Sequence, residues 1–189
     1  DKDKKMVALT YDDGPSIYTE DILDVLEKHQ AVATFFVVGN RVSRYADFVK
    51  RADVLGCEIG NHTYEHKTLT RLGKESILSQ MARTDAAVKR VIGKEPVIMR
   101  PPGGSNNSTV NATVQKPVLL WSVDTIDWKT RDKTKIENAV LNRIRDGDIV
   151  LMHDLYQSTA SAAEKIVSTL LERGYQLVTI SELAECRTG

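Results

Sequence analysis

The chain is poor in cysteine. Its 189 residues include two, Cys57 and Cys186, and no Cys-x-x-Cys pair, which excludes a zinc knuckle. Two cysteines fit one long-range disulfide or two separate thiols, because bridging depends on Cα separation; separate thiols are the reading adopted. No apolar run approaches the roughly 18 residues that a membrane span needs. An excess of either charge is missing too: 26 Lys+Arg balance 26 Asp+Glu, with no basic block or acidic tail. Nucleic acid is therefore not an expected partner, since phosphate binding needs clustered cations. No secretory signal is visible. The opening Asp1-Lys2-Asp3-Lys4-Lys5 reads as a trimmed edge, so that absence says little about compartment. Histidine is scarce, with four residues, and the position of each carries weight.

What is present describes a soluble globular chain, with 41% hydrophobic and 28% charged residues and length enough for one core and one domain. Short β-rich runs alternate with amphipathic stretches. Strands are expected over 6–11, 33–38, 57–61, 97–100, 119–123, 149–153 and 176–179. Helices are expected over 19–29, with Thr19 as N-cap and Ile22, Val25 and Leu26 as its apolar stripe, and over 41–55. Others follow over 75–92, with Leu78, Met81, Val88 and Ile92 on one face and Gly93 as its stop, and over 133–145, 158–173 and 181–185. Strands alternating with helices imply an α/β fold on a parallel sheet covered on both faces. A distorted (β/α)7–8 barrel in a single domain is the architecture expected, although the length sits just below the usual floor for eight units. The longest irregular stretch is 101–111, rich in Gly, Ser and Asn.

The polar residues cluster by position. Asp12 and Asp13 follow the first strand, His62 the third, and Arg100 ends the fourth; Asp124 and Asp127 follow the fifth, and His153 ends the sixth. In a parallel barrel, carboxyl ends of strands converge on one rim, where active sites lie. His62 and His66, four apart, are expected on one face of a helical turn with both rings aimed at one ion. Two imidazoles and one aspartate leave coordination positions open, as in a catalytic metal site. The second aspartate is then free to move protons.

Five segments taken together resemble the polysaccharide deacetylases of carbohydrate esterase family 4, the NodB homology domain. They are Thr10-Tyr11-Asp12-Asp13-Gly14-Pro15, His62-Thr63-Tyr64-Glu65-His66, Arg100-Pro101-Pro102-Gly103-Gly104, Asp124-Thr125-Ile126-Asp127-Trp128 and Leu151-Met152-His153-Asp154. Each is weak alone; the five stand in the family's order, and the resemblance as a whole covers residues 6 to about 183. The resemblance implies a distorted barrel and metal-dependent removal of acetyl groups from a sugar polymer. It implies Asp13, His62 and His66 as metal ligands, Asp12 as general base and His153 as general acid. Arg100 would orient Asp12 and hold it anionic, and Asp127 would pair with His153. Trp128 and Leu151 would line an acetyl-methyl pocket, and the backbone N–H at Gly103 would face the oxyanion. Many members carry Tyr where this chain has Gly103, so an aromatic wall is expected to be missing there.

Elementary chemistry agrees with this assignment. Amide or ester hydrolysis needs an activated water, a site for the oxyanion and a proton for the leaving group, and a histidine with a carboxylate partner suits the last task. The expected cofactor is one divalent ion, Zn2+ first, with Co2+, Ni2+ or Fe2+ fitting the same donors. The expected substrate is N-acetylglucosamine in peptidoglycan or chitin-like oligomers; an acetylxylan esterase would use the same residues. Such polymers lie outside the cytoplasm, so an extracellular or envelope-associated monomer is expected. Two rivals come from other classes. His62-x-x-Glu65-His66 also fits an inverted zinc-peptidase pattern with Glu65 as base, but that leaves Asp12, Asp13 and His153 idle. A catalytically dead sugar-binding module is disfavoured because no motif position for metal, base or acid is lost.

Overall fold

β1 (Met6–Asp12) is buried along its whole length, and the other strands are arranged around it. The computed structural model describes residues 3–188. β1 pairs in parallel with β2 (Thr34–Val37) on one side and β5 (Ile149–His153) on the other. β2 pairs with β3 (Glu58–Asn61), and β5 with β4 (Val123–Asp124). The order is β3-β2-β1-β5-β4, and β6 (Gln176–Leu177) pairs with the first residues of β1. The ladder is not closed around the ring, an arrangement compatible with the distorted barrel expected.

Period-two alternation assigns the two faces of β1. Val7, Leu9 and Tyr11 enter the larger core, together with Leu23 and Leu26 of α1 (Thr19–Lys28) and Ala52 of α3 (Ala46–Val54). Val140 of α7 (Lys133–Leu141) and Ile166 and Leu170 of α8 (Gln157–Glu172) complete that layer. Met6 and Ala8 face the opposite way and pack with Phe36, Ile98 and two residues of α9 (Ile180–Thr188), Ile180 and Leu183. Thr10 and Asp12 share the parity of Met6 and Ala8, so β1 delivers a carboxylate to the interior at its carboxyl end. Register places Asp12 beside His153 on one side and Phe36 on the other.

Several expectations are corrected. The strand expected over 97–100 is reduced to single bridges at Met99, to Asn61 and to Val118. Pro96, Pro101, Pro102 and Pro117 flank these segments and withhold the N–H groups a longer ladder needs. The strand expected over 119–123 shrinks likewise to Val123–Asp124. The helix expected over 41–55 is two, α2 (Gly39–Val42) and α3, separated at Tyr45, where φ is −120° and ψ 37°. In α2, Gly39 and Asn40 donate their N–H groups to the Thr63 and Tyr64 carbonyls, at 2.9 and 3.1 Å, which ties it to the histidine-bearing loop. The loop expected over 101–111 ends in a helix, α5 (Ser108–Val114), capped by the Asn107 side chain accepting from the Val110 N–H. A further short helix, α6 (Asp127–Thr130), follows β4. In α4 (Lys74–Ile92), Leu78 is exposed and Ile77 is buried, because Ile77, Met81, Thr84 and Val88 form the inward stripe. Thr19 is the first residue of α1 rather than its cap. Cys57, buried, and Cys186, partly buried, are free thiols, as read. Among the described residues, no helix is long and apolar enough to cross a membrane.

Close approach between β2 and β3 depends on Gly60, opposite Phe36 in register. A Cβ at position 60 would lie 2.4 Å from the Phe36 ring. Gly60→Ala should therefore displace that ring and destabilise the fold by about 1–3 kcal/mol, the usual range for overpacking. The check is a lower urea midpoint with an unchanged m-value.

Candidate active site

Arg100, fully buried, is the largest side chain in the interior. Its Nη1 donates to Thr10 Oγ1 at 2.7 Å and to Asp12 Oδ1 at 2.9 Å. Its Nε and Nη2 donate to the Leu119 and Leu120 carbonyls at 2.9 and 2.7 Å. The guanidinium lies 4.2 Å from the Phe36 ring centroid and 5.6 Å from that of Trp121. Asp12 is thus paired and aimed as the resemblance implied, with its Oδ2 on the side of His62, 3.8 Å from Nε2.

Asp13 Oδ1 lies 3.1 Å from His62 Nε2 and 2.9 Å from His66 Nε2. One ligand atom from each of the three falls within 4.8 Å of the others. His62 Nδ1 is 2.7 Å from the Arg100 carbonyl, which only accepts, so Nδ1 carries the proton and Nε2 presents a lone pair. A lone pair facing a carboxylate oxygen needs a cation or a second proton between them. That demand, with two imidazoles and a carboxylate as donors, fits a divalent ion. Burial pushes the Asp13 carboxyl pKa up, but the hydrogen bonds and charges of His62 and His66 outweigh it and hold it well below the usual range. For His62, burial lowers the pKa, and the charge of Asp12 with the Asp13 contact raises it on balance.

The histidines do not sit on a helical turn, as the i,i+4 spacing suggested. They occupy a loop in which Thr63 and His66 have φ of 65° and 55°, and Asp13 has φ of 72°. Left-handed residues turn the chain sharply enough to bring His66 back over Asp13. Thr63 is anchored by its N–H donating to Asn61 Oδ1 at 2.8 Å.

Across the pocket, His153 Nδ1 is 2.7 Å from Asp127 Oδ1. Asp127 is fully buried, and its two oxygens also accept from the His153 and Trp128 N–H groups and the Thr159 hydroxyl, at 2.7–2.8 Å. The carboxylate is held by four donors and fixes the ring, leaving Nε2 for the cavity. Burial lowers the His153 pKa, but the Asp127 hydrogen bond and charge, with Asp13 and Asp12, push it up to about 9.

A cavity of about 320 Å³ joins the two halves. Asp12, Asp13, His62, His66 and His153 line it, as do Gly103, Trp128 and Leu151; Arg100 and Asp127 stand behind as supports. Every residue to which the resemblance gave a role is therefore at this one place. Trp121 lines it as well and was not singled out from the sequence; Asp124, expected on the rim but given no role, lines it too. Trp121 is packed against Gly104, where a Cβ would lie 2.8 Å from the ring, and so supplies an aromatic wall near the one expected to be missing at Gly103. Its place in an apolar run hid it. Asp124 Oδ1 accepts from the Ile126 N–H at 2.8 Å and braces the turn before Asp127. Glu65 faces elsewhere: it accepts from Gln80 Nε2 at 2.6 Å and pairs with Lys67 at 2.9 Å, and it does not line the cavity.

The polysaccharide deacetylase family model matches residues 1–118, more than half the sequence. The chain belongs to the polysaccharide deacetylase family. It is 42% identical to the peptidoglycan-N-acetylmuramic acid deacetylase PdaC of Bacillus subtilis over 99% of its own length and 40% of that protein's. The peptidoglycan-N-acetylglucosamine deacetylase PgdA of Listeria monocytogenes is 40% identical over 96% of the chain and 39% of its own length. The chain thus spans about 40% of these two relatives. The solved structure of PdaC superposes with a TM-score of 0.97 at 41% identity, covering 99% of this chain and 93% of that one. The family also holds a pseudoenzyme from Bacillus anthracis, 33% identical with a TM-score of 0.88, covering 97% of this chain and 66% of that one. Deacetylase architecture alone therefore does not establish activity; the residues that line the cavity do the distinguishing.

The His153–Asp127 pair yields a titration. With a folded-state pKa near 9 against an ordinary value of about 6.5, the pair stabilises the fold fully below pH ~6.5. That contribution is lost as pH rises through about 9. In metal-free protein, the His153 ring should titrate near 9 by NMR, and in Asp127→Asn it should move down toward the ordinary range. A His153 titration unmoved by Asp127→Asn would remove Asp127 as the cause.

Proposed function

We propose that this chain is a zinc-dependent deacetylase that hydrolyses N-acetyl groups of amino sugars in peptidoglycan, acting outside the cytoplasm or in the cell envelope. The observation that carries the reading is the opposition of Asp12, Asp13, His62 and His66 to the His153–Asp127 pair across one cavity. The named activities of PdaC and PgdA support the choice of polymer. Asp13, His62 and His66 hold the ion. A bound Zn2+ supplies polarisation of the acetyl carbonyl and brings the pKa of water to about 7. Asp12, oriented by Arg100, takes the proton of the attacking water. The Gly103 N–H donates to the oxyanion as it forms. Leu151 and Trp128 take the acetyl methyl. His153, held as the imidazolium by Asp127, gives its Nε2 proton to the departing sugar nitrogen and is left as the Nδ1–H tautomer still donating to Asp127.

Acetate release should be measured side by side on peptidoglycan, chitooligosaccharides and acetylxylan with zinc-reconstituted protein. Peptidoglycan should be the best substrate; a clear preference for acetylxylan would replace the amide with an ester. Asp12→Asn should keep zinc and lose turnover, whereas Glu65→Gln should lose neither. Loss of several hundredfold in Glu65→Gln with metal retained would restore the peptidase reading.

The acid is tested through the leaving group. An amine departs poorly without a proton, while an activated phenol departs unaided. General acid catalysis typically supplies about 10²–10⁴-fold. His153→Ala should cost that much on N-acetyl sugars and far less on an aryl acetate. Equal losses on both substrates would take the acid role away from His153.

A further inference from the structure

The residue after the proposed acid, Asp154, is buried and outside the chemistry described, yet it is bound to the turn that carries Asp13. Its Oδ2 accepts from Thr19 Oγ1 at 2.6 Å, and its main-chain carbonyl accepts from Ser16 Oγ. Thr19 Oγ1 in turn accepts from the Ser16 N–H at 2.8 Å. The carboxyl group lies flat against Gly14: a Cβ there would be 2.1, 2.2 and 2.3 Å from Oδ2, Oδ1 and Cγ of Asp154. From the other side, the Val38 N–H donates to the Gly14 carbonyl at 2.8 Å. Gly14 is therefore gripped between the ends of β2 and β5, directly after a residue held in the left-handed region, Asp13 at φ 72°. A non-glycine residue in that region costs of order 1 kcal/mol or more and stays there only when its surroundings insist.

We propose that Asp154 is a positioning residue, a clamp that fixes the Asp13–Gly14 turn to the end of β5 and so sets the metal ligand and the base against His153. The clamp acts through shape and one accepted hydrogen bond rather than through charge. Among the described residues Asp154 Oδ1 has no hydrogen-bond partner, and the carboxyl borders a cavity of about 10 Å³ lined by Phe35, Val37 and Ile59. Burial pushes this carboxyl up to about 7, against the Thr19 hydrogen bond, so its surroundings disfavour the charged form. An amide oxygen can accept from Thr19 as the carboxyl does, and the amide has nearly the same outline.

The test uses the whole chain and two readouts: Zn2+ affinity by competition with a chromogenic chelator, and steady-state acetate release. Asp154→Ala should weaken Zn2+ about tenfold and lower kcat about 30-fold with KM within threefold. Asp154→Asn should stay within threefold of the parent in all three. An Asp154→Ala protein with Zn2+ affinity and kcat within threefold of the parent overturns the clamp. So does an Asn variant as damaged as Ala, which would mean that the charge mattered. Should Asp154→Ala not fold, Thr19→Val carries the test: Zn2+ binding weakened threefold or more supports the clamp, and less than threefold overturns it. The kcat readout rests on the deacetylase reading; the Zn2+ titration does not, so a parent protein that binds zinc without releasing acetate would sink that reading and leave the clamp measurable.

Discussion

The site is organised by one buried ion pair. Arg100 is fully buried, and burying a cation costs several kcal/mol unless it is paired and hydrogen-bonded. Here four of its five N–H groups donate, to Thr10, Asp12 and two carbonyls of the segment after Pro117, and the carbonyl of Arg100 itself receives His62 Nδ1. One residue therefore aims the proposed base, orients a proposed metal ligand and fixes the stretch that brings in Trp121. Removing either partner leaves a charge stranded in the interior, so base and core cannot vary independently. The same pair explains why β1 carries Thr10 and Asp12 on a face otherwise occupied by Met6 and Ala8.

Much of this was legible in the residues. Alternating apolar runs and amphipathic stretches marked a parallel α/β fold, and polar residues recurring after strands marked the rim. His62 and His66 were recognisable as a pair, but their backbone was not. Spacing of four suggests a helix, whereas the loop reaches the same convergence through left-handed Thr63 and His66, which propensity does not foresee. Around Arg100, prolines cut the expected strand to bridges, although its neighbours still make ladder-like hydrogen bonds such as Arg100 N–H to the Asn61 carbonyl. Trp121 and Asp154 were hidden for opposite reasons. The first lies in an apolar run that reads as core, and the second is a carboxylate whose contact with Gly14 is made across most of the length of the sequence.

Backbone strain has a pattern. Outside glycine, positive φ occurs among the described residues at Asp13, Thr63, His66, Ile126 and Arg131, which belong to the site or the turns around Asp127, and at Gln30 and Gln115, which follow helices. Ile126 is the most telling, since a β-branched residue tolerates this region poorly. It directly precedes Asp127, and Asp124 holds it by its N–H. Stability has been given up locally so that ligating and proton-handling groups point where an unstrained chain would not send them.

The direct pairing of Asp12 with His153 has a consequence for how such a protein can diversify. The two groups proposed to move protons stand on adjacent hydrogen-bonded strands, about 4.8 Å apart in the sheet. Their spacing is therefore a lattice constant of the fold, insensitive to loop motion and closed to gradual adjustment. The walls of the cavity obey no such constraint: Gly103, Trp121 and Trp128 lie outside the strands and face solvent to varying degrees. The placement of base and acid is thus written into the sheet, where change is all or nothing. Choice of sugar is written into connecting segments, where one substitution at a time can be tried without disturbing the chemistry beneath.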